Sequence, residues 1–266
     1  IAEGIALWRN AFEIEDGFAE DYFGYRFEQE RNIPWRGAKE VHDGKLKWYE
    51  NAHSPLRVAN FFRNENNETV IENNKYGEYT LYLHKVLMKG LAEYLKKYPL
   101  LQKDIHFIEA YRLIYYQSGN YMGLHTDQSY AGDHSFNEEG GRPEPADGLE
   151  NINMLRTICC VQHLSDSSDG EDAEWGEFDG GEVSWPYATD KTFTPQKGDM
   201  LIYPANFLYA HEVDRILSGH RISNLNCISH GKIPKGSGTS ARPVGPTGYM
   251  YLDFADGKVD WKGWLK

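Results

Sequence analysis

The sequence predicts a mainly β fold with supporting helices, an antiparallel sandwich or jelly roll, and three observations carry this. Apolar residues recur with a period of two in segments 107–116, 157–164, 181–185, 200–203 and 222–228, which read as strands. Turn-rich loops rather than helices join them, which argues against a parallel α/β sheet. The strongest helical period lies ahead of them all, over residues 83–98.

Taken in order, residues 1–104 are expected to be mainly helical and to buttress one face of the sheet. Leu83, Leu87, Leu91, Leu95 and Tyr98 fall on one stripe, Lys85, Lys89, Glu93 and Lys97 lie between them, and Pro99 ends the helix. Residues 105–230 form the expected β core. Two long acidic loops interrupt it, 131–150 and 165–179, and loops of that length on a β scaffold serve as lids or as passive insertions. A Gly- and Pro-rich stretch, 231–248, then leads to a last short strand at 249–254. With no internal repeat or low-complexity linker, residues 1–266 are expected to form a single domain.

The chain has 266 residues, 40% hydrophobic and 14% aromatic, too apolar for a disordered polymer. Lys and Arg total 28 against 40 Asp and Glu, and the formal net charge of −12 disfavours general nucleic-acid binding. No apolar run approaches the roughly 18 residues that a membrane helix needs, and mean hydropathy is −0.65. A soluble, cytoplasmic protein without a membrane partner is the expectation. Cys159, Cys160 and Cys227 make no disulfide framework, and the adjacent pair should point to opposite faces of a strand, so all three read as buried thiols. No signal peptide is expected from the opening residues, although a sequence that begins at Ile1 rather than Met leaves its true start open, and the sequon at Asn67 is the kind of triplet that chance supplies.

The sharpest chemical feature is His125-Thr126-Asp127. In an extended segment residues i and i+2 share a side, so an imidazole and a carboxylate can reach one cation. The turn Gln117-Ser118-Gly119-Asn120 ahead of them would deliver His125 to the mouth of a sheet. A third ligand is available at His211, which follows the 200–203 strand. Two imidazoles and one carboxylate suit a facial iron site with open positions, and they also suit zinc. Ten residues on, Arg221 alternates with Ser223, placing a guanidinium and a hydroxyl on one side of a strand as a carboxylate clamp.

Over about residues 105–229 these features resemble one family, the iron(II)- and 2-oxoglutarate-dependent oxygenases of the prolyl 4-hydroxylase-like group. The elements occur in order: Tyr116-x-x-Gly119, His125-x-Asp127, Arg156-Thr157 opening a strand, Phe178-Asp179-Gly180-Gly181-Glu182 leading to Trp185-Pro186, Gly198-Asp199, and His211-Glu212-Val213 with Gly219, Arg221 and Ser223. The resemblance implies a double-stranded β-helix, or jelly roll. It implies that His125, Asp127 and His211 bind Fe(II) and carry catalysis, and that Arg221 binds the distal carboxylate of 2-oxoglutarate with help from Ser223 and Tyr116. Oxygen is then a cosubstrate and ascorbate a candidate reductant, and the reaction is hydroxylation of an aliphatic C–H with release of succinate and carbon dioxide.

Two departures matter. Tyr121 stands one place early for the family's second tyrosine and receives no ligand role. Arg221 replaces the lysine usual in collagen-type members, so a collagen-type substrate is not implied. Asp127 argues against the related halogenases, which lack that carboxylate. Trp185, Tyr203, Tyr115 and Tyr121 are candidate pocket-lining residues, each equally readable as core.

Two rivals stand beside this reading. A zinc hydrolase would use the same three ligands, but hydrolysis gives no reason for Arg221 at that register. A non-catalytic jelly-roll binding module would leave the His and Asp residues structural. Nucleophile-elbow, P-loop and dinucleotide fingerprints are absent. A peptidyl residue, a free amino acid or another small molecule each fits as substrate. The acidic loops suit a cationic one, although solvation explains them as well.

Overall fold

The computed structural model describes backbone and side chains for residues 3–25, 74–109, 112–128, 155–168 and 177–231, and backbone alone for 26–30, 38–42, 45–48, 54–58, 61–63, 69–71, 111 and 250–251. The chain begins with β1 (Ala6–Trp8) and α1 (Phe18–Glu30), then β2 (Ala38–His42), β3 (Lys45–Trp48), β4 (Ser54–Val58), β5 (Phe61–Arg63) and β6 (Thr69–Ile71). Helices α2 (Lys75–Lys97) and α3 (Leu101–Asp104) follow, then β7 (Ile105–Ile108), β8 (Tyr111–Gln117), β9 (Met122–His125) and β10 (Arg156–His163). Beyond these come β11 (Asp166–Ser167), β12 (Glu177–Gly180), β13 (Val183–Ser184), β14 (Thr192–Phe193), β15 (Met200–Pro204), β16 (His211–Val213), β17 (Ile216–His230) and β18 (Met250–Tyr251).

Ten strands form the large sheet, whose central path is β1-β15-β10-β17-β12-β11, with β7 and β8 also paired to β17, β4 to β8 and β18 to β7. A smaller sheet, β14-β13-β16-β9, faces it. This is a jelly roll, mainly β, with helices on the outer face of the large sheet.

Strict alternation along the strands builds both cores. On β15, Met200 and Ile202 enter the helix-side core, while Leu201 and Tyr203 enter the core between the sheets. On β8, Leu113 and Tyr115 go to the helices, whereas Ile114 and Tyr116 go inward. Cys160 and Cys159 divide in the same way, as their adjacency predicts.

Helix α2 buries the expected stripe of Leu83, Leu87, Leu91 and Leu95 against the outer face. It starts earlier than the periodicity alone predicts, because Asn74 Oδ1 accepts hydrogen bonds from the amides of Tyr76 (3.1 Å) and Gly77 (2.9 Å) and satisfies the first turn. It stops ahead of Pro99, as expected.

Among the described residues the first third holds more helix than strand, but it is not helical throughout. Between α1 and α2 the chain runs through strands β2 to β6, and β4 pairs with β8 to extend the large sheet. Alternating residues such as Lys45-Leu46-Lys47-Trp48 and the β-branched run Thr69-Val70-Ile71 favour extended backbone there.

The expected strand at 107–116 is two strands. Ile108 stands opposite Ile228 and Arg112 opposite Leu225, a one-residue offset between the two strands, while the Glu109 amide donates to the Cys227 carbonyl (2.8 Å) and the Glu109 side chain is buried. Conversely, 222–228 is only the middle of the 15-residue β17. Of 181–185 only Val183–Ser184 pairs as a strand, since Gly180 and Gly181 adopt positive φ of 76° and 68°. The 165–179 loop begins and ends in paired strands, β11 and β12. Loop 131–150, sequon Asn67 and stretch 232–248 lie outside the described residues, as does the remainder of the 249–254 strand around β18. No described helix is long and apolar enough to cross a membrane.

Candidate metal centre

The small sheet places the two histidines. His125 ends β9 and stands directly opposite His211, the first residue of β16, with ring centroids 4.3 Å apart. Asp127 lies two residues beyond β9. Its carbonyl accepts from Arg156 Nη1 (3.2 Å), and the amide of the next residue, Gln128, donates to the Ala205 carbonyl (2.9 Å), so this turn is pinned from both sides. One ligand atom from each of His125, Asp127 and His211 falls within 4.8 Å of the others. Small side-chain rotations close such a spacing onto one cation with bonds of about 2.0–2.2 Å.

The donor set suits a cation. His125 Nδ1 lies 2.9 Å from the Gly123 carbonyl and His211 Nδ1 3.3 Å from the Tyr209 carbonyl. A carbonyl only accepts, so each Nδ1 carries the proton and each Nε2 presents a lone pair. Burial drives His211 down to about 4, with His125 and Arg221 adding to the shift against the pull of Asp127, and the ring is neutral at pH 7. Burial also opposes ionisation of Asp127. The His211 and His125 rings, Arg156 and the Tyr203 hydroxyl outweigh it and hold the carboxyl well below the usual carboxylate range. Tyr203 donates to Asp127 Oδ2 at 2.9 Å, and its hydroxyl is 3.4 Å from His211 Nε2.

Next to this centre lies a buried cation without an anion. Arg221 is 3% exposed, and its Nη1 reaches the Gly181 carbonyl at 3.3 Å, while its Nε has no hydrogen-bond partner. Among the described residues no carboxylate comes within ion-pair distance of it. A buried guanidinium in that state costs several kcal/mol unless something negative joins it. The sheet register surrounds Arg221 with the other expected residues. Tyr116 of β8 stands opposite it with its ring centroid 5.3 Å from the guanidinium carbon, and Ser223 lies two places along β17 on the same face. The positive φ of Gly180 and Gly181 lets the chain pass close over the Arg215 carbonyl and Ile216, which brings the Gly181 carbonyl to Arg221.

The structure thus brings together all six residues named from the sequence: His125, Asp127, His211, Arg221, Ser223 and Tyr116. It also shows groups that sequence reasoning missed. His163 on β10 faces Ser223, is 1% exposed and has no partner at either ring nitrogen. Burial and Arg221 keep it neutral. Its parity with Cys159 on one strand was the available signal. Glu109 is 2% exposed and takes two hydrogen bonds from Arg156 (2.7 and 2.8 Å) and one from Arg112 (2.6 Å). Nothing local in the sequence marks that long-range pair.

The four aromatic candidates for the pocket divide. Tyr203 touches the metal centre, and Trp185 packs 6.2 Å from His211 with its Nε1 unpartnered. Tyr115 faces the opposite core, where it stacks on Phe23 at 4.4 Å, so of its two readings the core one holds. Tyr121 sits under Arg215, 4.7 Å from the guanidinium carbon.

No protein-family model matches the chain, and no curated protein matches it. Solved structures do. A viral collagen prolyl hydroxylase from Paramecium bursaria Chlorella virus-1, solved with 2OG, is 13% identical over 86% of this chain and 97% of its own, with a TM-score of 0.48. A Pseudomonas putida prolyl-4-hydroxylase is 12% identical over 86% and 94%, with a TM-score of 0.48. A Trichoplax adhaerens prolyl hydroxylase in complex with a hypoxia inducible factor oxygen degradation domain peptide fragment is 10% identical over 85% and 84%, with a TM-score of 0.49. An oxidoreductase of the 2OG-Fe(II) oxygenase family from Burkholderia pseudomallei is 13% identical over 86% of each chain, with a TM-score of 0.44.

Proposed function

We propose that the protein is an iron(II)- and 2-oxoglutarate-dependent dioxygenase that hydroxylates an aliphatic C–H of a peptidyl residue, a free amino acid or another small molecule. One observation carries this reading: a two-histidine, one-carboxylate cluster shares the space between the sheets with a buried arginine that lacks an anion. A zinc hydrolase explains the cluster and leaves the arginine idle.

Iron(II) with 2-oxoglutarate and oxygen supplies an oxidative decarboxylation to succinate and carbon dioxide, coupled to conversion of C–H to C–OH. The chain's residues supply position. His125, Asp127 and His211 would hold the metal. Arg221 would receive the distal carboxylate, with Ser223, Tyr116 and the single N–H of neutral His163 as neighbouring donors. Trp185 and the inner apolar face exclude water, and Arg156 with Tyr203 fixes the Asp127 carboxylate in its ionised form. A carboxylate at Asp127 would stand where related halogenases take a halide, which favours hydroxylation.

The test is an anaerobic titration with iron(II) and 2-oxoglutarate, followed through the weak visible charge-transfer band of the chelate. The band is expected in the wild type and expected to be lost or much weakened in His125→Ala and Arg221→Ala. Iron binding without a band on adding 2-oxoglutarate would overturn the reading in favour of a hydrolytic metal site. Absence of metal binding would leave a non-catalytic binding module.

A further inference from the structure

Across the inner face of the large sheet, three side chains form one row. Cys227 on β17 stands opposite Cys159 on β10, and Cys159 stands opposite Tyr203 on β15. The two sulfurs are 3.2 Å apart. At the end of the row the Tyr203 hydroxyl donates to Asp127, and the ring lies edge-on to His211 at 5.0 Å. A buried dithiol is therefore connected, through one phenol, to two members of the candidate metal centre. Cys160, one residue away, faces the helices and has no such connection.

We infer that Cys159 and Cys227 form an internal two-electron reductant for the metal centre, spent when oxygen is consumed with no substrate in place. This rests on the oxygenase reading above. In that case 2-oxoglutarate, oxygen and the two thiols give succinate, carbon dioxide, one water and a Cys159–Cys227 disulfide. One oxygen atom ends in succinate and the other in water, which takes the two thiol hydrogens. The S–S bond forms as both S–H bonds break, and Tyr203 gives and regains its hydroxyl hydrogen, ending unchanged.

The backbone is ready for that bond. Facing residues of an antiparallel pair hold their Cα atoms about 4.5–5.5 Å apart, inside the roughly 4.4–6.8 Å range of disulfides. Both sulfurs are cut off from solvent, Cys159 being 0% and Cys227 1% exposed. Burial also holds the Cys159 thiol well above its ordinary range, which withholds the thiolate that dissolved oxidants attack fastest. Oxidation from inside is thus the favoured route.

The experiment uses protein loaded anaerobically with iron(II) and 2-oxoglutarate, then given oxygen without substrate or ascorbate. Succinate is measured, and the quenched protein is alkylated and mapped by mass spectrometry. The expected result is one succinate per 159–227 disulfide, seen as a peptide pair lighter by two hydrogens, with Cys160 still alkylated. In Cys227→Ser the disulfide is absent, and the number of substrate-free turnovers before inactivation falls. Succinate with both thiols still free overturns the inference while leaving the oxygenase reading intact. A disulfide formed equally in the metal-free protein also overturns it, because solution oxidation then suffices. No succinate at all removes the oxygenase reading and the inference together.

Discussion

Asp127 depends on residues distant in sequence for both its charge and its position. Arg156 reaches its carbonyl while paired to Glu109, and Tyr203 donates to its carboxylate. Glu109→Gln strands a buried guanidinium, and the expected loss is about 3–5 kcal/mol of folding stability. Urea denaturation measures it, and a loss near zero would show that Arg156 is supported elsewhere. Tyr203→Phe removes one hydrogen bond from a proposed ligand, which lowers metal affinity by about 10-fold or more, as read by competition with a chelator. His125, Asp127 and His211 were legible in the sequence because their residue types and the alternation of extended chain carry the information. Glu109 and His163 were not, since their significance lies in partners 47 and 60 residues away: Arg156 and Ser223.

The strands were legible as elements wherever both faces are buried, as in β10 and β15, whose bounds differ from the sequence reading by a residue or so. They were illegible where pairing geometry rather than side-chain pattern sets the ends. β7 and β8 are separate strands because their registers on β17 are offset by one residue, and β17 continues past its apolar centre because β12 and β7 pair with its two ends. The turn before β13 sets a sharper requirement. Alanine at position 181 would be strained at a φ of 68° and would crowd Ile216 and Phe178. Gly181→Ala should cost about 1–3 kcal/mol and weaken 2-oxoglutarate binding, since this carbonyl orients Arg221. Asn74→Ala, at the start of α2 and far from the site, should cost about 1 kcal/mol and leave that binding unchanged. Denaturation and the chelate titration, run on both variants, separate the two effects.

For the whole molecule, acid is the expected weakness. Burial lowers His84 from 6.5 to about 4 in the folded state. A group whose folded pKa is depressed contributes fully above its unfolded pKa, and that contribution is lost as pH falls from about 6.5 through about 4. Between about pH 7.5 and about pH 4.5, His84 alone should account for about 2–3 kcal/mol of lost stability. His163 and His211 shift in the same direction and add to it. Comparing urea midpoints at the two pH values in wild type and His84→Gln isolates the share of His84, and an equal loss in both would refute it.

Strand β17 pairs with β7, β8, β10 and β12, and on the present reading it carries Arg221 while its neighbour β16 carries His211. During synthesis the ribosome delivers His125 and Asp127 long before either of them. Until the chain has emerged through about residue 230 and these distant strands have paired, a cation meets at most two of its three proposed ligands. On the proposed function, cofactor loading is therefore a late event, and a chain stalled short of β16 would reach the cell's quality control without metal.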